Sequence, residues 1–250
     1  MYVWTDALSN YITVLGYPEK DISDYWPAAV QFVGKDILRF HTIIWPSILL
    51  GLGLPLPKVI HSHGFILSNG QKMAKSIGNV VNPVDVLEKH GTEAFRYYFS
   101  RHIDTFVDAD FTWEKFEAAY NNELANDLGN LVQRLATMAA KNQITLDAAK
   151  PEYSKEYTEL MDNFQFSKAI DSTWTRVQSI NKQIDEQKPW ELAKKGEKDR
   201  LESVLKDLIS QLLNANFELA PFLPETAKKI EAVFAGGEGN PPKTPLFPKD

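Results

Sequence analysis

Cysteine is missing from this chain of 250 residues, which excludes disulfides and every metal site built on thiolate. Long apolar runs are missing as well. No stretch approaches the roughly 20 apolar residues that a membrane-spanning helix requires, and the N-terminus lacks the basic start and apolar centre of a secretory signal. The expectation is a soluble, cytoplasmic protein with no membrane partner. An excess of basic charge is also absent, the net charge being −6. A dedicated nucleic-acid domain is usually basic overall, so any RNA contact must be local. What remains is an ordinary apolar content of 44%, long enough in sequence for one large or two smaller domains with real cores.

The organisation changes near residue 110. Before it, short apolar runs (Val30 to Val33, Lys58 to Ser62, Gly64 to Leu67) alternate with helical patterns such as Ile37 to Leu50. That alternation predicts an α/β fold with at least partly parallel strands. Between Phe65 and Gln71, Asn69-Gly70 supplies the positive φ of a type I′ turn and predicts a hairpin. After residue 110 the apolar residues recur every three or four positions. One stripe is Phe116, Tyr120, Leu124, Leu128, Leu131, Leu135 and Met138; a second is Phe166, Ile170, Trp174, Val177, Ile180 and Ile184; a third is Leu201, Val204, Leu205, Leu208 and Leu212. These predict amphipathic helices packed as a bundle. The segment from Gly236 to Pro242 is expected to be irregular, with Pro245-Leu246-Phe247-Pro248 docking back as an extended piece.

The chemistry of the chain concentrates in Lys72-Met73-Ala74-Lys75-Ser76, presented at the far end of the hairpin. Two lysines three apart on a loop are compact, rotatable point charges. Together they can stabilise the negative charge that builds as a nucleophile attacks an α-phosphorus. A second constellation lies in the helical part. Asn126, Asn130 and Arg134, at i, i+4 and i+8, share one face opposite the leucine stripe. Such a row of amides and a guanidinium is either a solvated face or a reader of unpaired bases. Pro189-Trp190 carries the same ambiguity: a Trp beside a helix-starting Pro is a packing anchor if buried and a stacking platform if exposed. In the α/β part, Trp4, Ala7, Tyr11, Ile37, His41 and Trp45 are apolar or amphipathic, and by themselves they read as an ordinary core around a buried, hydrogen-bonded histidine.

The residues Lys72 to Ser76 differ at one position from the KMSKS signature of the class I aminoacyl-tRNA synthetases, and the run from Lys72 to Pro83 resembles the methionyl branch of that family. Further segments agree in order and spacing: Val3 to Tyr11, which looks like the family's strand-to-helix wall of the amino-acid pocket; Gly34 to His41 with Trp45-Pro46; Glu123 to Arg134; and Glu186 to Trp190. The resemblance covers nearly the whole chain. It implies part of a Rossmann-type catalytic domain over 1–110, a helical anticodon-binding domain over 111–235 and an extended tail over 236–250. It implies methionine binding by Trp4, Ala7, Tyr11, Ile37, His41 and Trp45, and ATP binding by Gly34, Asp36, His63, Gly64, Lys72, Met73 and Lys75, with Lys72 and Lys75 catalytic. Mg²⁺ would accompany ATP. Asn126, Asn130, Arg134, Pro189 and Trp190 match positions that read the CAU anticodon of the methionine tRNA.

Two departures from the family stand out. His61-Ser62-His63-Gly64 is not the HIGH signature, because HIGH opens a helix after the first strand and this tetrapeptide runs into the hairpin. The HIGH-bearing half and the zinc-knuckle insertion are therefore not among these residues, and no zinc is expected. The reading is a C-terminal portion of a methionine–tRNA ligase, inactive until the HIGH half is supplied. Its alternatives are a non-catalytic tRNA-binding module, one subunit of a split synthetase, and a helical adaptor with no RNA role. The second departure is Ala74 in place of serine. One hydroxyl is lost from a loop whose lysines carry the chemistry, so the expected effect is that of one hydrogen bond, about 0.5 to 1.5 kcal/mol.

Overall fold

The computed structural model describes residues 2–146, 151–235 and 239–249. It is α/β followed by all-α, and the chain divides into two compact units, Met1–Ile66 with Phe106–Ala109 and Leu67–Thr105 with Asp110–Asp250. The expected domains follow function along the sequence. Compactness instead assigns the lysine loop and the helix after it to the helical unit.

The first unit contains helix α1 (Val3–Thr13), strand β1 (Val30–Gly34), a π-helical turn (Phe40–Ile44) that runs into α2 (Trp45–Gly51), and strand β2 (Val59–His63). β1 and β2 pair in parallel with Val30 opposite Val59 and Gly34 opposite His63. The segment from Val3, expected as a strand leading into a helix, is helical from its start; only Tyr2 is extended, with φ −75° and ψ 126°. Leu8 and Ile12 explain this, because both are buried four residues apart on one helical face. With Ile22, Trp26, Trp45 and Leu49 they form this unit's core.

Buried His61 lies between the rings of Phe32 and Phe106, at centroid distances of 5.3 and 5.1 Å. Burial, followed by the charge of His63, lowers its pKa below the ordinary histidine value. The unfolded chain therefore binds a proton at this residue at a pH where the folded chain does not. Stability from this site is complete above about pH 6.5, the ordinary value, and is lost as pH falls through the folded pKa. His61→Phe fits between the same rings and is expected to flatten the acid limb. Urea midpoints of both chains from neutral to mildly acidic pH check this; an identical acid loss would contradict it.

The second unit takes up the chain within strand β3 (Ile66–Ser68), which pairs antiparallel with β4 (Gln71–Lys72) in a sheet of order β4-β3-β5, where β5 is Ala109–Phe111. Ser68 faces Gln71 across a two-residue loop in which Asn69 and Gly70 have φ of 52° and 73°. Both positive values are those of the expected I′ turn. The Gly70 N–H also donates to Asp110 at 2.8 Å, which ties the turn to β5.

Beyond the lysine loop come α3 (Pro83–Arg101), α4 (Trp113–Ala119), a π-helix (Tyr120–Gly129), α5 (Asn130–Lys141), α6 (Lys155–Asp162), α7 (Phe166–Gln187), α8 (Pro189–Lys195), α9 (Lys198–Leu219) and α10 (Pro224–Phe234). The three predicted stripes meet in one core: Leu124, Leu131 and Leu135, then Ile170, Trp174 and Ile184, then Leu205, Leu208 and Leu212 are buried together. α3 belongs to this packing. Its Glu93 accepts the backbone N–H groups of Glu225 and Thr226 at 2.6 and 2.7 Å, placing a negative charge at the start of α10. Glu123 is pushed up by burial, but hydrogen bonds from His102 and Tyr97 and the Arg101 charge more than offset this, holding its carboxyl below the ordinary range.

The C-terminal segment docks as expected. Phe247 is buried against this core with its ring 6.2 Å from that of Tyr120, whose hydroxyl donates to the Pro248 carbonyl at 2.7 Å. Residues 236–238 of the glycine-rich stretch lie outside the described residues. Among the described residues no helix is long and apolar enough to cross a membrane.

Candidate functional site

In the first unit, Trp4, Ala7 and Tyr11 fall on one face of α1, and Ile37, His41 and Trp45 recur every four residues through the π-helical turn into α2. The aromatic members of the two rows meet. Tyr11 lies 5.8 Å from His41 and 5.7 Å from Trp45 by ring centroids, and Trp4 stands edge-on to His41 at 6.5 Å. His41 and Trp45 are buried while Tyr11 and Ala7 are exposed, so the cluster has a closed base and an open rim.

The hydrogen bonds of His41 fix its tautomer. Nδ1 lies 3.0 Å from the Ile37 carbonyl, which only accepts, so Nδ1 carries the proton. Nε2 is then an acceptor for the Tyr11 hydroxyl at 3.0 Å. This pair holds a polar edge of defined polarity inside an aromatic cluster. Among the described residues the buried Trp45 indole N–H has no hydrogen-bond partner.

A second group gathers where β1 and β2 end. The register sets Gly34 opposite His63. A Cβ built on Gly34 would lie 2.8 Å from Asp36 Oδ1 and 3.9 Å from His63 Cε1, so these three residues are neighbours, and Asp36 and His63 are exposed. The His63 Nδ1 donates to the Gly64 carbonyl at 3.0 Å, which leaves Nε2 as the acceptor. A Cβ on Gly64 would meet the Val107 carbonyl at 2.1 Å, so this close backbone approach requires glycine. Lys35 and Asp108 brace the approach: Lys35 Nζ lies 2.5 Å from both Asp108 oxygens, and Asp108 also accepts the Phe65 N–H at 2.8 Å. The lysine first, and that N–H second, hold the Asp108 carboxyl below its ordinary range. In open α/β folds, ligands bind beyond the carboxyl ends of parallel strands, where this group sits.

In the second unit, exposed Lys72 ends β4, and half-buried Met73 and exposed Lys75 follow it on the loop that leads to α3. The loop ends at Asn82, which caps α3 by accepting the Val84 N–H at 3.2 Å, with Pro83 as the first helical residue. Asn126 and Asn130 contact each other at 3.5 Å, and Lys249 of the docked tail reaches Asn126 Oδ1 at 2.6 Å. Arg134 pairs with Asp185 near the end of α7 at 2.7 Å. Lys188, at φ 46° and ψ 59°, then turns the chain into α8. Pro189 is buried at that corner while Trp190 keeps 39% of its surface exposed. Proline is thus the anchor and the indole faces solvent.

Sequence reasoning missed several participants. Phe40 stacks on Trp4 at 4.0 Å and 12°, and Trp26 packs edge-on to Trp45 at 5.6 Å. Phe40 had a local signal, lying four residues before the Ile44 end of the same helical turn, whereas the Trp26 contact and the Lys35–Asp108 pair join distant segments.

The first unit thus has the layout of an open α/β protein with polar turns beyond parallel strands, and comparison with known proteins identifies the class more closely. Residues 1–136 match the family model described as tRNA synthetases class I (M). The chain is 45% identical over 92% of its length to methionine–tRNA ligase of Enterococcus faecalis, and 42% identical over 92% to that of Caldanaerobacter subterraneus subsp. tengcongensis. A solved structure of Mycobacterium tuberculosis methionyl-tRNA synthetase in complex with methionyl-adenylate superposes on the whole chain with a TM-score of 0.86 at 32% identity. The chain belongs to the methionyl-tRNA synthetase family of class I. It spans 37% and 39% of the two relatives and 56% of the solved chain.

Proposed function

We propose that this chain is the portion of a methionine–tRNA ligase that carries the methionine wall, the lysine loop and the anticodon-binding helices. Residues 1–110 serve catalysis, 111–235 bind the anticodon, and 236–250 form the tail. Methionine lies against Trp4, Ala7, Tyr11, Ile37, His41 and Trp45. Its carboxylate attacks the α-phosphorus of ATP, forming methionyl-adenylate and releasing pyrophosphate; a hydroxyl of the tRNA terminal adenosine then takes the acyl group and AMP leaves. Gly34, Asp36, His63 and Gly64 bind the nucleoside side of ATP, and Lys72, Met73 and Lys75 the phosphates. The two ammonium groups neutralise charge that grows toward the transition state. Among the described residues no group of three or more His, Asp or Glu side chains could hold a metal. Mg²⁺ would therefore be carried by the nucleotide phosphates.

The observation that carries this reading is the aromatic cluster with its fixed Tyr11–His41 hydrogen bond, a chemistry suited to an apolar, weakly accepting side chain. The methionyl-adenylate bound to the Mycobacterium tuberculosis neighbour supports it. The test joins the chain to the preceding portion of the Enterococcus faecalis relative and follows ATP–pyrophosphate exchange. Exchange that depends on methionine is expected from the joined protein, and none from the 250-residue chain by itself. Exchange without methionine dependence would overturn the assignment. A tRNA-binding role without catalysis is favoured by one observation: the helical unit has a core of its own. In that case anticodon recognition would persist while the joined protein stayed inactive.

A further inference from the structure

The lysine loop is held from inside by one side chain. Asn79 Oδ1 accepts the Ala74 N–H at 2.9 Å, and its Nδ2 donates to the Lys72 carbonyl at 3.3 Å. The Ala74 carbonyl accepts from Ile77 and Gly78 at 3.1 and 3.2 Å, and Gly78 also donates to the Lys75 carbonyl at 3.3 Å. Residues 74–78 therefore make a single helical turn. Gly78, at φ 73°, reverses the chain so that Asn79 returns to the start of the turn. The backbone of residues 72, 74 and 75 is fixed through these bonds, and with it the points from which both lysine side chains depart.

We propose that Asn79 is a positioning residue of the lysine loop, whose amide sets the spacing of Lys72 and Lys75 for a polyphosphate chain. This rests on the proposed function, since it assumes that the lysines grip phosphates. It also accounts for Ala74. Both backbone groups of that residue are engaged and the bonds need nothing from its side chain, so the loop geometry is indifferent to serine or alanine there.

Both lysines are trypsin sites on an exposed loop, which makes the full 250-residue chain its own reporter. Cleavage after Lys72 and Lys75 is followed by mass spectrometry with and without inorganic tripolyphosphate, for the unsubstituted chain, Asn79→Ala and Ala74→Ser. In the unsubstituted chain the probe should slow cleavage about tenfold, as a ligand of the closed loop does. In Asn79→Ala two hydrogen bonds are gone, so cleavage without the probe should rise about tenfold and protection by the probe should largely vanish. The midpoint of global unfolding should not move, which separates a change in the loop from a change in the fold. Ala74→Ser should behave as the unsubstituted chain. Equal protection of the unsubstituted and Asn79→Ala chains would overturn the positioning role while leaving the phosphate reading intact. A large gain of protection in Ala74→Ser would also overturn it, because the side chain at 74 would then be shaping the loop. No protection of the unsubstituted chain would remove the phosphate reading and this inference together.

Discussion

Lys75→Ala is expected to lower the rate of methionyl-adenylate formation by about 10²- to 10³-fold in the joined enzyme, the usual cost of removing one preorganised group that meets developing charge. The methionine KM should barely move. Lys75 is exposed on the loop of the helical unit, whereas the proposed methionine residues belong to the first unit. An interaction made mainly in the transition state lowers kcat and kcat/KM together. Lys75→Arg keeps the charge but replaces a point ammonium with a planar fork, so only partial rescue is expected. Steady-state exchange kinetics over methionine and ATP concentration decide the matter. An equal loss in methionine affinity would place Lys75 in ground-state binding and contradict the assigned role.

The second large effect concerns Trp190. An indole with 39% of its surface exposed, one residue after a buried proline, offers a flat face that adjacent packing holds in place. Base stacking on such a face is worth about 1 to 3 kcal/mol, or roughly 5- to 150-fold in affinity. Trp190→Ala in the 250-residue chain is therefore expected to weaken binding of a CAU stem-loop by that factor. It should erase much of the preference over a stem-loop with a scrambled anticodon. Little stability should be lost, because Pro189 and Leu192 carry the packing of α8. The net charge of −6 sharpens the test, since an acidic chain must obtain its preference from bases more than from phosphates. Titration of both stem-loops at fixed salt measures it, and an unchanged preference would return Trp190 to a surface residue with no RNA contact.

The readable parts of this sequence were those whose cause is local. Asn69-Gly70 dictated its own turn, because few residue pairs accept two positive φ angles, and the observed hairpin has that loop. The stripe from Ile170 to Ile184 repeated at helical spacing and is buried in α7. Strand ends drifted: the run expected from Lys58 to Ser62 is Val59–His63, and that from Gly64 to Leu67 is Ile66–Ser68. The π-helices were not legible. Residues 116, 120, 124 and 128 repeat every four positions, which drifts by about 40° per step on a helix of 3.6 residues per turn, and Tyr120–Gly129 is wound more loosely. In the site, the lysines were visible from their spacing. Asn79, Lys35 with Asp108, and Lys249 against Asn126 were not, because each matters through a partner that only folding supplies. Lys35 and Asp108 stand 73 positions apart.

The most direct measurement is methionine transfer itself. The joined enzyme is given ATP, methionine and either the CAU-bearing methionine tRNA or the same tRNA with a scrambled anticodon, and kcat/KM for methionyl-tRNA formation is compared. The account predicts ready charging of the first and a loss of at least about tenfold for the second, since one base lost from a stacking and edge-reading face already costs that much. Equal charging of both tRNAs, or adenylate formation with no transfer to either, would contradict it.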